Sequence, residues 1–189
     1  MPKVVDQEAY RRELVEGAIQ LFSERGYGSV TMREVARELG VSTGTVYHYF
    51  DSKQKLFEAV VRSVIDGHVA GALASFAAVA PGEGPRVDVR GLLMFLVSQE
   101  ERLMSEFVVM MDYWRLHPEE RAELRDVLAH AHTTYAELVA SLLGSDNMAL
   151  GELVLSVLFN ILEMRWFHGP EFDYEPQLVL LERLVEIDA

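Results

Sequence analysis

Residues 31–50 read TMREVARELGVSTGTVYHYF. Thr31 is followed by Glu34, a capping box that opens a helix. Leu39-Gly40 ends it, because glycine takes the left-handed turn that stops a helix. Ser42 or Thr43 can cap a second, short helix that ends near Tyr49-Phe50. Val35, Ala36, Leu39, Val41, Val46 and Phe50 are spaced to pack these two helices against a third, and Ala36 is small where helices must cross closely. The second helix then exposes Ser42, Thr43, Thr45, Tyr47, His48 and Tyr49, a face of hydroxyls and aromatic rings without formal charge. Plain helix-turn-helix packing usually leaves a charged, solvated face, whereas a hydroxyl-rich one suits the major groove and phosphates of double-stranded DNA. Arg33, in the first turn of the preceding helix, is placed to reach a guanine edge. Lys53 adds a positive charge at the start of the next helix, where the dipole also attracts phosphate.

Outward from this core the chain reads as helix throughout. Val15, Ala18, Ile19 and Phe22 mark one face of a helix over about 6–24 that stops at Gly26. Asp51 or Ser52 caps a fourth helix from Lys53 to about Ala78. Ala80–Pro85 (APGEGP) places two Pro and two Gly in six residues and reads as a linker. Helical stretches follow near 87–99, 101–116, 119–143, 148–167 and 176–187, with breaks at His117-Pro118, Gly144–Asn147 and His168–Glu171. Alternating strand patterns are missing. The expected fold is all-α, with about nine helices: a three-helix head over residues 1–52 and a helical body over 53–189.

The motif also carries a resemblance. Gly40–Lys53 (GVSTGTVYHYFDSK), followed by Leu56-Phe57, is similar to the signature of the TetR family of transcriptional repressors. Phe22–Tyr27 (FSERGY) and Thr31 resemble that family's first helix and its entry into the motif. The match covers roughly residues 8–60. It implies a DNA-binding head and a larger helical body that binds a small ligand and dimerises. By position, Arg33 would read a base. Thr43, Gly44 and Thr45 would approach the groove floor or its phosphates. Tyr47, Tyr49 and Lys53 would hold the backbone, with His48 at the rim. Val46 stands where the family more often has Leu or Ile, and Gly44 lacks a side chain, which leaves readout to its threonine neighbours.

Composition sets the bounds. The 189 residues are 50% hydrophobic and carry no cysteine, which excludes a disordered chain, disulfides and thiolate chemistry. No apolar run reaches the roughly 18 residues needed to cross a bilayer, and no signal-peptide core opens the chain, so a cytoplasmic protein is expected. Net charge is −13. Residues 1–60 hold 8 Lys+Arg and 9 Asp+Glu, against 9 and 21 in the remainder. A polyanion should therefore meet the first third.

Catalytic and metal signals are poor. Gly40–Gly44 matches the nucleophile elbow G-x-S-x-G, but a capped helix precedes Ser42 where a strand is required. His130 and His132 point about 200° apart on a helix, and neither a metal site nor a cofactor is expected. Met94, Phe107, Met111, Trp114 and Phe159, with Tyr113, Asn160 or Glu163 as polar anchors, are expected to line a pocket for a small, mainly apolar effector. Glu163 is expected inward and Arg165 outward, which favours a neutral or cationic effector. The helix near 148–167 is apolar all round, so it should pack on its own body and on a partner; with the helix near 176–187 it forms the expected homodimer interface. The reading is a ligand-released repressor of a palindromic operator. A ligand-independent DNA-binding or scaffold protein and, remotely, a hydrolase built on Ser42 stay open.

Overall fold

The computed structural model describes residues 6–77 and 86–188, without the Glu123 side chain. The expected linker Ala80–Pro85 lies outside them. Among the described residues there are nine α-helices and no strand: α1 (Gln7–Arg25), α2 (Met32–Glu38), α3 (Thr43–Tyr49), α4 (Lys53–Ala77), α5 (Val89–Ser98), α6 (Glu100–Leu116), α7 (Arg121–Leu143), α8 (Met148–His168) and α9 (Glu175–Asp188). A 3-10 turn, Pro118–Glu120, precedes α7.

Local chemistry explains the helix ends. Asp6 caps α1 by accepting from the Glu8 and Ala9 amides, and Gly26 closes it at φ 75°. The Thr31–Glu34 capping box is complete in both directions. Gly40, at φ 67°, turns the chain out of α2, and the Ser42 hydroxyl caps α3.

The helices form two compact units. The first comprises the chain up to Gly67 together with Arg102–Val127; the second comprises His68–Glu101 and the chain from Leu128 onward. This division departs from the expected boundary at 52/53. The reason is that the rings of Tyr27 and Phe57 pack on Tyr113 of α6 at centroid distances of 4.6 and 4.8 Å, which joins the first part of α4 and most of α6 to the same unit.

In the first unit the core holds Leu14, Ala18, Phe22, Val35, Val46, Phe50, Leu56 and Phe57. Gly17 lets α1 lie on the end of α2, since a Cβ there would overlap Leu39 Cδ2. In the second unit Leu92, Leu93, Val139, Val154, Leu158, Ile161, Leu178 and Leu181 form a continuous core. Gly151 of α8 meets the backbone of α7, because an added Cβ would run into the Ala136 carbonyl oxygen. Arg90 binds Glu175 at 2.8 Å and Glu182 at 3.3 Å, and Asp188 accepts from Ser145 and Asn147 at 2.7 Å each, so α9 is tied at both ends.

The all-round burial expected of α8 is not found within one chain. Leu150, Val154, Leu155, Leu158, Ile161 and Leu162 face the core, while Leu153, Phe159 and Phe167 are exposed. On α9, Leu180, Leu184 and Ile187 are exposed as well. Among the described residues no single helix is long and apolar enough to cross a membrane.

Candidate nucleic-acid interface

α3 is anchored from below by Val46, which is wholly buried, and by Phe50, which follows the helix. Seven residues of helix would not persist alone; the packing against α2 and the Ser42 cap hold it. Its outward side then carries Gly44, Tyr47 and His48 exposed, with Thr43, Thr45 and Tyr49 half-buried. Tyr10 of α1 joins this surface, its ring 5.5 Å from that of Tyr49. Tyr10, Ser42, Gly44, Thr45, His48 and Tyr49 line an open groove of about 550 Å³ that contains no formally charged side chain. Arg33 and Arg37 stand exposed on α2. Arg33, Thr43, Gly44, Thr45, Tyr47, His48 and Tyr49 thus all belong to the surface of one small head.

Four of the expected contacts, Thr31, Ser42, Thr45 and Lys53, are already engaged within the chain. The Thr31 hydroxyl donates to Glu34 Oε2 at 2.8 Å and accepts from the Glu34 amide. The Ser42 hydroxyl accepts from the Thr45 amide at 3.0 Å and shares a hydrogen bond with Thr45 Oγ1 at 2.8 Å. These two serve the helix ends before any outside partner, and the same engagement meets the idea of Ser42 as a nucleophile. Lys53 differs most from expectation. Its Nζ donates to the carbonyls of Tyr27 and Val30 at 3.0 and 2.9 Å and lies 3.9 Å from the centroid of the Tyr27 ring. Burial lowers its pKa, partly offset by the carboxylates of Glu120, Asp112 and Glu34. Lys53 is therefore a clamp on the turn before α2.

Behind that turn lies a cluster that the sequence did not announce. Glu120 Oε2 accepts from the Tyr113 hydroxyl at 3.1 Å and from that of Tyr27 at 3.5 Å. Burial first, and the Glu120 carboxylate second, push both tyrosine pKa values well above the usual phenol range. Asp112 accepts from the Gly28 amide at 3.3 Å. No sequence motif signals Glu120 or Asp112, because both act across a separation of more than 80 residues from the turn they hold.

The eight expected effector contacts divide between the units. Phe107, Met111, Tyr113 and Trp114 fall in the first; Met94, Phe159, Asn160 and Glu163 fall in the second. Tyr113 is fully buried with its hydroxyl committed to Glu120, so it is removed from the set of anchors. Trp114 has the Arg121 guanidinium 5.2 Å from its ring centroid, which occupies one ring face. Met94, Phe107, Met111, Phe159, Asn160 and Glu163 are exposed. The expectation for Glu163 and Arg165 is reversed. Glu163 is exposed, whereas Arg165, with 11% of its side chain exposed, pairs with Glu100 at 3.1 Å and donates to the Pro170 carbonyl. A buried guanidinium requires such partners, and α8 turns Arg165 toward them.

Residues 14–60 match the family model for bacterial regulatory proteins of the tetR family. The chain is 38% identical over 93 residues to the HTH-type transcriptional regulator BetI of Rhizobium meliloti, a match that covers 49% of this chain and 44% of that protein. It is 29% identical over 143 residues to BetI of Agrobacterium fabrum, covering 75% and 68%. The chain thus spans less than half the length of the first of these relatives. Among solved structures, the multidrug binding protein EbrR complexed with imidazole aligns with a TM-score of 0.70 at 22% identity, covering 97% of this chain and 93% of that one. A transcriptional regulator from Saccharomonospora viridis in complex with choline aligns at 0.56 and 21%, covering 95% and 97%. The structural likenesses extend over the nine-helix fold, and the family model covers the residues of the capped, uncharged surface just described. Residues 14–60 thus form a helix-turn-helix head of the tetR family of transcriptional regulators.

Proposed function

We propose that this regulator is a homodimeric repressor that binds a palindromic DNA operator and releases it when a small effector binds. The uncharged, hydroxyl-rich groove of α3, with Arg33 exposed on the preceding helix, carries the DNA part. One head reads only a few base pairs, so a stable operator complex calls for two heads about one helical turn, ~34 Å, apart. The exposed apolar side chains of α8 and α9, Leu153, Phe159, Leu180 and Leu184 among them, support pairing through those helices, since large apolar side chains are costly to leave in water. Residues 61–189 carry a net charge of −12, by the counts 9 − 21, which disfavours an anionic effector. Two fold neighbours are complexed with cations, choline and proflavin. A cationic, largely apolar effector contacting Phe107, Met111 and Trp114 fits this chain best.

Selection of bound duplexes from a random pool tests the DNA reading. A palindromic consensus is the expected return, and recovery of unrelated sequences would refute it. With the selected duplex in hand, choline and proflavin serve as cationic probes and decanoate as the anionic contrast. The cations should raise Tm and weaken operator binding. Operator binding unchanged by a broad panel of apolar cations would instead favour a ligand-independent DNA-binding protein.

A further inference from the structure

The phosphate-holding charge expected at Lys53 is engaged inside the protein by two carbonyls and the Tyr27 ring. A phosphate would have to displace those contacts and loosen the turn before α2. A second open groove, of about 230 Å³, offers another seat. Tyr49 lines both this groove and the recognition groove, so the two adjoin. The second is lined by Arg11 of α1, by Tyr49, Phe50 and Asp51, and by Lys55, Glu58, Ala59 and Arg62 of α4. Lys55 and Glu58 neutralise each other at 2.9 Å. Arg11 lies with its guanidinium carbon 4.9 Å from the Phe50 ring centroid, a cation–π contact. Arg62 is exposed. Among the described residues neither arginine is in an ion pair, and Asp51 is the one remaining carboxylate of the groove.

On the DNA-binding reading above, we propose that Arg11 and Arg62, and not Lys53, hold the DNA backbone phosphate adjacent to the major-groove contact. The groove keeps one net positive charge after its internal pair is discounted, while the recognition groove beside it keeps none. Two planar guanidinium forks from different helices match the oxygens of a phosphodiester, which a single ammonium meets only as a point charge. The division of labour follows: α3 reads, while α1 and the first turns of α4 fix the register.

The test measures affinity across a salt series for the selected duplex and for a random-sequence duplex, with Tm recorded for each variant. Arg11→Gln and Arg62→Gln should each flatten the dependence of log K on log[salt] by about 0.9. Each should weaken both duplexes by the same factor. Lys53→Met should lower Tm and leave the slope at the wild-type value. Arg62 is exposed, so its variant reads the groove even if Arg11→Gln loses stability through Phe50. Wild-type slopes in Arg62→Gln would overturn the proposal, as would a flattened slope with wild-type Tm in Lys53→Met. A wild-type protein that selects no duplex would instead sink the DNA reading itself, and the proposal with it.

Discussion

Arg33 stands exposed in the first turn of α2, on the helix that packs against α3. A guanidinium in that position can form two hydrogen bonds with one guanine. Arg33→Ala should therefore cost roughly 1–3 kcal/mol on the selected operator and relax specificity at one base pair. Equal loss at every position in a substitution series would show that Arg33 holds backbone instead. Two residues away, Thr31 makes a different prediction. Its hydroxyl and amide hold the Glu34 carboxylate, which lowers that carboxyl's pKa below the usual value. A depressed folded pKa gives stability that is present above the unfolded value of 4.5 and is lost as pH falls through the lower folded value. Thr31→Ala should lower Tm at pH 7 and flatten the fall in Tm between pH 5 and 3. An unaltered acid slope would show that the capping box is not the titrating element. Much of this surface was legible in the sequence, since spacing alone assigns Val35, Val46 and Phe50 to the core and Tyr47 and His48 to the outside. Spacing cannot say where a long side chain ends. That is why Lys53 reads as a phosphate contact in the sequence and becomes an internal clamp in the structure.

Helix boundaries follow the sequence closely where a cap fixes them. Asp6, Thr31, Ser42 and Asn147 start α1, α2, α3 and α8, and Gly26 and Gly169 end α1 and α8. Such signals are local, so a single sequence contains them. The crossing of α7 and α8 is not local. At Gly151 an added Cβ would run into the Ala136 carbonyl oxygen of α7, 15 positions earlier in the chain. A methyl there has backbone on its far side, which cannot rotate away. Gly151→Ala should thus destabilise the protein by roughly 1–3 kcal/mol, although alanine is the better helix former by about 1 kcal/mol. Gly67→Ala supplies the contrast, because nothing lies within 4 Å of a Cβ there. It should raise Tm. Two variants shifting Tm in the same direction would show that propensity, and not the crossing, decides at Gly151.

At the scale of the whole molecule the question is what covers α8 and α9. Leu158 reads from the sequence as an interface residue, yet it is fully buried in its own chain. An arginine there would break the fold and say nothing about association. The periodicity of an apolar helix shows that every side is hydrophobic but not which side meets which neighbour. Leu184 and Phe159 are the informative positions, at 46% and 38% exposure. Leu184→Glu with Phe159→Glu should yield a folded monomer with unchanged Tm at low concentration and weakened operator binding, as measured by sedimentation and gel shift. A wild-type protein that sediments as a monomer at micromolar concentration would refute pairing through these helices.

The clamp at Lys53 has a consequence for chemical labelling. The chain has three lysines, Lys3, Lys53 and Lys55, so amine-directed reagents act only on the first third of the protein. Lys55 is more than half exposed, whereas Lys53 is partly buried beneath the turn it holds. The lowered pKa of Lys53 would by itself raise its reactive, neutral fraction. Access works the other way, because an acylating reagent must first displace two carbonyls and an aromatic ring. In the folded protein acylation at Lys53 should therefore lag well behind Lys55, and in denaturant the two rates should converge, as followed by peptide mass spectrometry. The ratio of two neighbouring modification rates then becomes a built-in gauge of whether the helix-turn-helix head is intact, and any amine-coupled surface or dye will attach nowhere beyond residue 55.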